Sequence, residues 1–492
     1  MKKEYRYLIY SLVAILYIFV AYHSYGYDDE LINIDLITNL KNEHAIAQHV
    51  IDRDVHPPTH YLINKWLFDI FGDWSILRTI SAILVSFSGI YYIEKIRKEE
   101  SSLIGDITLI IIVLLNPAYL LWGTSIRWYA YFLPILFILL AAKKTENSLK
   151  HWSLFAIAVT AMSYIGYAGI FLFPALFLIN WVKDQSPFAK KIKFALVSIL
   201  AIMVLYAYQF YILLNFQVKN SDDQVFSITK SIVGFASTQL SNQGVFPLSV
   251  AGILSILGFA ILYSRDLLIG LKQKKINNGI ISYIIGIVIF FVAGIAGKMR
   301  NFVVLSPLQN SLFHDPDEKK CRRLYLLALI LIASANVWGM YNVTFHENTT
   351  KNSWNIPINS LLKNLEKEDK KTALILSHDP LIGNVLIEKG YKVYNPYENN
   401  SHKIYPDSIK KVIALKTFMG SIPKLHYDSL INSLDQIHDK NSKPIISKMS
   451  RDPYYKIKHK LEASYPEYQI EIIKFNNVKN LNNLQIWNDK IY

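Results

Sequence analysis

The sequence predicts a polytopic α-helical membrane protein carrying a soluble α/β domain at its carboxyl end. Up to about Tyr341, long apolar runs alternate with short polar loops, and several approach the roughly 20 residues needed to cross a bilayer. Beyond that point, helix-like and strand-like pieces alternate at lengths typical of a soluble domain. The placement of lysine and arginine then orients the apolar part. The expected domains are therefore 1–341 in the membrane and 342–492 outside it.

Apolar runs lie near 7–22, 76–93, 103–121, 128–142, 152–166, 168–182, 194–214, 246–263, 279–297, 301–312 and 324–341. The tenth is short and also reads as a re-entrant segment, and the pair over 152–182 also reads as one merged run. With the amino terminus inside, one cytoplasmic loop holds Lys95, Arg97 and Lys98, and the next holds Lys143, Lys144 and Lys150. Further loops hold Lys183, Lys190, Lys191 and Lys193, then Arg265, Lys272, Lys274 and Lys275, then Lys319, Lys320, Arg322 and Arg323. Positive residues mark the inside, so about eleven spans are expected, with the amino terminus in and the carboxyl terminus out. The formal charge of +14 then calls for no nucleic acid.

The first run follows Lys2, Lys3 and Arg6 and lacks a small-x-small cleavage site after it, so it reads as an uncleaved anchor. The lone Cys321 leaves disulfides no part. Zinc-type Cys/His spacing, a phosphate-cradling glycine loop and a G-x-S-x-G elbow are all missing.

The chemistry-bearing residues lie on the predicted outer side. The loop 23–75 opens with Asp28-Asp29-Glu30 and continues to Asp54-Val55-His56-Pro57-Pro58. Between them, apolar Ile32, Leu36, Ile37, Leu40 and Ile46 predict an interfacial helix over about 31–50. Two readings stand side by side. Asp28 or Asp29 caps that helix, or the acids serve a lipid-linked substrate at the membrane face. The paired prolines after His56 equally suit an extended turn before a helix. Arg127, Lys298 and Arg300 break the inside pattern. They read either as interfacial snorkelling or as a cationic clamp for a lipid phosphate.

Together these residues carry a resemblance. Asp29-Glu30 after the first span, the stretch His56-Pro57-Pro58-Thr59-His60-Tyr61-Leu62-Ile63-Asn64-Lys65-Trp66-Leu67, Ser125-Ile126-Arg127-Trp128-Tyr129, and Arg300 before Leu305-Ser306-Pro307 occur in order. They resemble the motifs of the GT-C glycosyltransferase superfamily, in its protein O-mannosyltransferase and aminoarabinose-transferase branch. The similarity covers most of 25–135 and returns near 164–176 and 297–308. Gly166-Tyr167 stands where many relatives have His-Tyr, Asn301 where the late motif has tyrosine, and no acid lies in the short loop before Arg127.

The resemblance implies inverting transfer of a sugar from a polyprenyl-phosphate carrier to a hydroxyl acceptor at the outer face of the inner (plasma) membrane. Asp29 would be the base, with Glu30 beside it in the catalytic pair. Arg127 and Arg300, with Lys298, Tyr129, His56 and Asp28, would bind the substrate or its phosphate. Partners would be the lipid-linked donor, the bilayer and a lipid-linked glycan, lipid or protein acceptor. No cofactor is expected. A divalent metal is compatible with the acids, but one histidine beside them is a poor ligand set. The competing class is a lipid-glycan flippase, polymerase or transporter, which would favour mid-membrane charges, inverted repeats or broken helices.

In the carboxyl-terminal part, 372–376, 391–394, 411–415 and 469–475 read as strands, and Pro380–Lys389, 423–438 and 454–464 as helices. Gly390 closes the first of these, making a β-α-β unit. Ser377-His378-Asp379-Pro380 suits a strand-to-helix cap better than a catalytic site.

Overall fold

The computed structural model describes residues 2–22, 30, 33–34, 36–37, 40, 42–53, 56–97, 103–217, 250–272, 278–292, 303–310, 322–345, 358–377, 380–394, 409–418, 440–447 and 468–476. The chain forms two compact units, 1–24 with 39–346 and 25–38 with 347–492. The regular elements of the first, among its described residues, are all helices, joined by short irregular stretches.

Its helices begin with α1 (Lys3–Tyr22), α2 (Glu43–Arg53), α3 (Thr59–Phe71), α4 (Trp74–Ile96), α5 (Leu103–Leu109), α6 (Pro117–Gly123) and α7 (Tyr129–Ala141). They continue as α8 (Ser148–Ile165), α9 (Ala168–Lys183), α10 (Phe188–Ile212), α11 (Val250–Lys272), α12 (Asn278–Val292), α13 (Ser306–Asn310) and α14 (Arg322–Phe345). Among the described residues five stretches are long and apolar enough to cross a membrane: Lys3–Tyr22, Trp74–Ile96, Gly105–Gly123, Phe188–Asn215 and Arg323–Met340. Tyr129–Ala141, Ala168–Lys183, Gly252–Leu262 and Ile281–Phe290 are apolar but shorter. In the run at 301–312 the described residues form a 3₁₀ turn at 303–305 and the five-residue α13.

The helices turn apolar rows outward. Leu12 and Ile15 on α1, Leu200 and Met203 on α10, and Ile330 and Val337 on α14 are each more than half exposed. A water-soluble bundle avoids such rows, whereas hydrocarbon makes them harmless.

Buried charges tie α1 to α4 and α5. Arg6 Nε donates to Glu94 Oε1 at 2.7 Å, and Tyr10 Oη donates to the same oxygen at 2.9 Å. Asp106, almost fully buried, accepts from Arg97 Nε at 2.6 Å. Hydropathy alone hides Asp106 inside an apolar run, and the nearby Arg97 and Arg6 make that burial tolerable. A second polar knot links the loops after α7 and α9. Gln185 N donates to the Thr145 carbonyl at 2.9 Å, while the Asp184 carboxylate accepts from Ser148, Trp152 and Ser186 N. Burial works against that charge, yet these donors outweigh it and hold Asp184 down at about 2.

The run expected as one span over 103–121 is broken. After α5 the helix widens into a π turn at Ile110–Leu114, and Asn116 Oδ1 then caps α6 by accepting from Ala118 N at 2.9 Å. Carbonyls near the break have side-chain donors. Ile111 O accepts from Asn336 Nδ2 at 3.0 Å, and Leu114 O accepts from Tyr17 Oη at 3.0 Å. We expect Asn336→Leu to destabilise the protein by about 1–2 kcal/mol. Thermal unfolding in detergent would measure this, with Val337→Leu on the exposed face of the same helix as a neutral control.

The interfacial helix expected over 31–50 is not one element. Asn33, Ile34, Leu36 and Ile37 are helical, whereas Leu40 and Asn42 are not. α2 starts only after Asn42, whose Oδ1 accepts from Ala45 N at 2.9 Å. An asparagine able to cap interrupts a pattern that hydrophobic spacing alone carries through.

The second unit holds a five-stranded sheet of β1 (Ala373–Ser377), β2 (Lys392–Tyr394), β3 (Lys411–Phe418), β4 (Lys440–Ser447) and β5 (Tyr468–Asn476). Their order is β2-β1-β3-β5-β4. β1 pairs in parallel with both β2 and β3, and β5 runs antiparallel to β3 and β4. α15 (Ile358–Leu365) precedes β1, and α16 (Pro380–Glu388) crosses from β1 to β2 and ends at Gly390 with φ 81°. β4 escaped the sequence reading because Pro444 interrupts it. The strand lies at the sheet edge, where a proline leaves no central ladder bond unmade. The helices expected at 423–438 and 454–464 lie outside the described residues.

Candidate functional site

The site residues are best approached from α3, the helix that follows the paired prolines. The Pro58 carbonyl accepts from Leu62 N at 3.1 Å, so the prolines lead straight into the helix. Gly72, at φ 64°, ends it by donating to Phe68 O at 2.7 Å, and Asp73 then caps α4. His60, Tyr61 and Asn64 recur at i, i+1 and i+4, so they share one face, and all are fully buried.

That face meets the irregular stretch between α6 and α7. Asn64 Nδ2 donates to the Ile126 carbonyl at 3.4 Å, and Asn64 Oδ1 accepts from Tyr131 Oη at 2.6 Å. Arg127 Nη1 lies 3.5 Å from Tyr61 Oη as donor. Arg127 is only 4% exposed, so the guanidinium is enclosed by protein. This geometry differs from snorkelling, in which the charged head leaves the protein for water.

Aromatic rings complete the surroundings. Trp128 lies 3.9 Å from the ring of Tyr129 and meets Phe132 edge-on at 5.3 Å. The half-buried His56 ring is 6.2 Å from both Trp128 and His60. Trp128 is buried and its Nε1 has no hydrogen-bond partner among the described residues. A buried indole donor normally has one.

Gly166 explains how Trp128 fits. A Cβ at position 166 would stand 2.7 Å from Trp128 Cε3, closer than packed carbons approach. The absence of a side chain at position 166 thus leaves room for this indole. Its neighbour Tyr167 Oη accepts from Gln209 Nε2 at 2.9 Å. We expect Gly166→Ala to shift Trp128 and cost about 1–3 kcal/mol, and to cost far less in a Trp128→Ala background. A double-mutant cycle on unfolding midpoints checks this.

The structure thus brings together His56, Arg127 and Tyr129 within the first unit. Tyr129 is 1% exposed and packs in the core behind Trp128. Glu30 is helical and buried, and it belongs to the second unit. Asp28, Asp29, Lys298 and Arg300 lie outside the described residues. His60, Tyr61, Asn64, Trp128 and Tyr131 had no role assigned from sequence. The helical spacing of His60, Tyr61 and Asn64 was the available signal, since polar groups on one otherwise apolar helix face need partners. Among the described residues no cluster of three or more His, Cys, Asp or Glu side chains is arranged to hold a metal ion.

No protein-family model matches the chain, and no curated protein matches it.

Proposed function

We propose that this protein is an integral-membrane glycosyltransferase that moves a sugar from a polyprenyl-phosphate carrier to a hydroxyl acceptor. The observation that supports it most is the meeting of two motif segments about 60 residues apart around Arg127. A buried guanidinium beside the Tyr61 hydroxyl suits a phosphate leaving group.

In this reading the Asp29 carboxylate takes the acceptor hydroxyl's proton as that oxygen bonds to the anomeric carbon. The carbon–oxygen bond to the carrier phosphate breaks on the opposite face, so configuration inverts, and the electron pair leaves with the phosphate. Arg127 and Arg300 stabilise that charge, assisted by Lys298. Trp128 Nε1 supplies a further buried donor, while His56, Asp28 and Glu30 orient the reactants. The proposed topology has about eleven spans in a plasma membrane, with the amino terminus inside and the active loop and carboxyl-terminal unit outside. The outward apolar rows and the lysine-bearing inner loops support it.

One observation favours a transporter: the break at Leu115–Asn116 is the kind of discontinuity such proteins use for binding. Against it, Ile111 O and Leu114 O already accept from Asn336 and Tyr17 rather than facing a substrate.

The deciding experiment uses purified protein in nanodiscs with labelled polyprenyl-phosphate sugars and fractionated envelope acceptors. Label moving from carrier to acceptor supports the transferase. Label crossing the bilayer still attached to its carrier would establish the transporter instead.

A further inference from the structure

The second unit gathers lysines at one edge of its sheet, where the parallel strands begin. Lys370 and Lys371 stand in the turn before β1, Lys392 opens β2, and Lys410 precedes Lys411 at the start of β3. α15 ends at the same edge, because its Leu365 carbonyl accepts from Tyr391 Oη at 3.0 Å. That contact brings Lys363 and Lys367 to the edge.

Several of these ammonium groups are held in place. Lys370 Nζ donates to the Lys389 carbonyl at 2.7 Å and lies 4.8 Å from the centre of the Tyr391 ring. Lys392 Nζ donates to the Lys371 carbonyl at 2.8 Å. Lys411 and Lys474 each reach a Glu368 oxygen at 2.6 Å. Burial alone would raise the Glu368 carboxyl, but the two lysines hold it below the ordinary carboxylate range. Asp369 is engaged by the Lys371 amide and the Thr372 hydroxyl. Of the nearby acids Glu366 and Asp369 are exposed, and against them stand the exposed Lys363, Lys367, Lys370, Lys371 and Lys410. The edge is strongly positive, and its strand starts are spaced by about 4.8 Å. Neighbouring charges therefore act within one screening length of about 10 Å.

The composition of the edge narrows the partner. Among the described residues of this unit, Ile387 is the one large apolar side chain that is well exposed, so the face lacks the anchors a bilayer-docking surface uses. Tyr391 is buried beneath Lys370 and offers no platform for stacking a nucleic-acid base. We infer that this edge binds an anionic polysaccharide whose carboxylate or phosphate groups repeat along the chain. Charges repeated at about the length of a sugar unit match lysines repeated at strand spacing. The inference rests on the charge of this unit and holds whether or not the first unit transfers sugar.

The test uses the full-length protein in nanodiscs of neutral phosphatidylcholine and a fluorescent polygalacturonate oligomer. Wild type is compared with a variant carrying Lys363→Gln, Lys367→Gln, Lys371→Gln and Lys410→Gln, and with the four matching Lys→Arg changes. Binding should weaken with salt, fall roughly tenfold or more in the glutamine variant, and survive in the arginine variant. Equal affinity of wild type and the glutamine variant would overturn the inference. So would a wild-type preference for single-stranded DNA, for anionic vesicles or for neutral dextran over the oligomer.

Discussion

Replacing Asp29 with asparagine should abolish sugar transfer while leaving donor binding in place. Asparagine keeps the shape of the side chain but cannot accept the acceptor's proton, and a positioned base contributes about 10²–10⁴-fold in rate. Arg127→Ala should behave differently. Its guanidinium is enclosed beside Tyr61, and under the proposed mechanism its loss would remove charge stabilisation from both the bound carrier and the departing phosphate. Turnover should fall by about 10²–10³-fold and donor affinity should fall with it. Arg127→Lys should recover little, because an ammonium cannot form the paired contacts of a planar guanidinium. Steady-state kinetics with a labelled donor, alongside donor binding measured separately, distinguish the two patterns. Transfer by the Asp29→Asn protein at the wild-type rate would remove Asp29 from the role of base.

Gly258→Leu should be among the most damaging substitutions in the helical unit. A Cβ at 258 would stand 2.7 Å from Ile332 Cγ1 and 2.8 Å from the Ala328 carbonyl oxygen. α11 and α14 therefore touch backbone to side chain, and Phe259, Leu262, Tyr325 and Leu329 pack around that contact. In a bilayer such close approach replaces the hydrophobic drive that lipid removes. Even Gly258→Ala should cost about 1–3 kcal/mol. Adding Ile332→Ala should relieve only part of that cost, since the carbonyl clash persists. Unfolding midpoints in detergent for the single and double variants would show it. A Gly258→Leu protein as stable as wild type would mean that the two helices do not meet this way.

Much of the secondary structure was legible because it is written in local periodicity. The apolar runs at 7–22 and 76–93 correspond to α1 and α4, and the strand candidates at 411–415 and 469–475 lie within β3 and β5. What escaped were interruptions that a single polar side chain introduces. Asn116 and Asn42 each supply a cap, and hydropathy averaged over a span does not register one asparagine. For the candidate site the sequence offered an ordered set of motifs, two of which the structure brings into contact. The partners His60, Tyr61 and Asn64 were present in the motif without a role, since a buried polar residue announces its function only once its neighbour is known.

The sequence by itself determined the apolar segments and the acids and arginines available for chemistry, and it set an expectation for the side of each basic loop. These follow from composition within short windows and from the cost of moving charge across lipid. The tertiary structure alone decided that Arg127 is enclosed against α3, that Gly166 makes room for Trp128, and that Asn336 and Tyr17 donate to carbonyls near the broken helix. It also decided that lysines spread from 363 to 474 meet at one sheet edge. Each of these joins residues far apart in the chain, and only packing brings such residues within bonding distance.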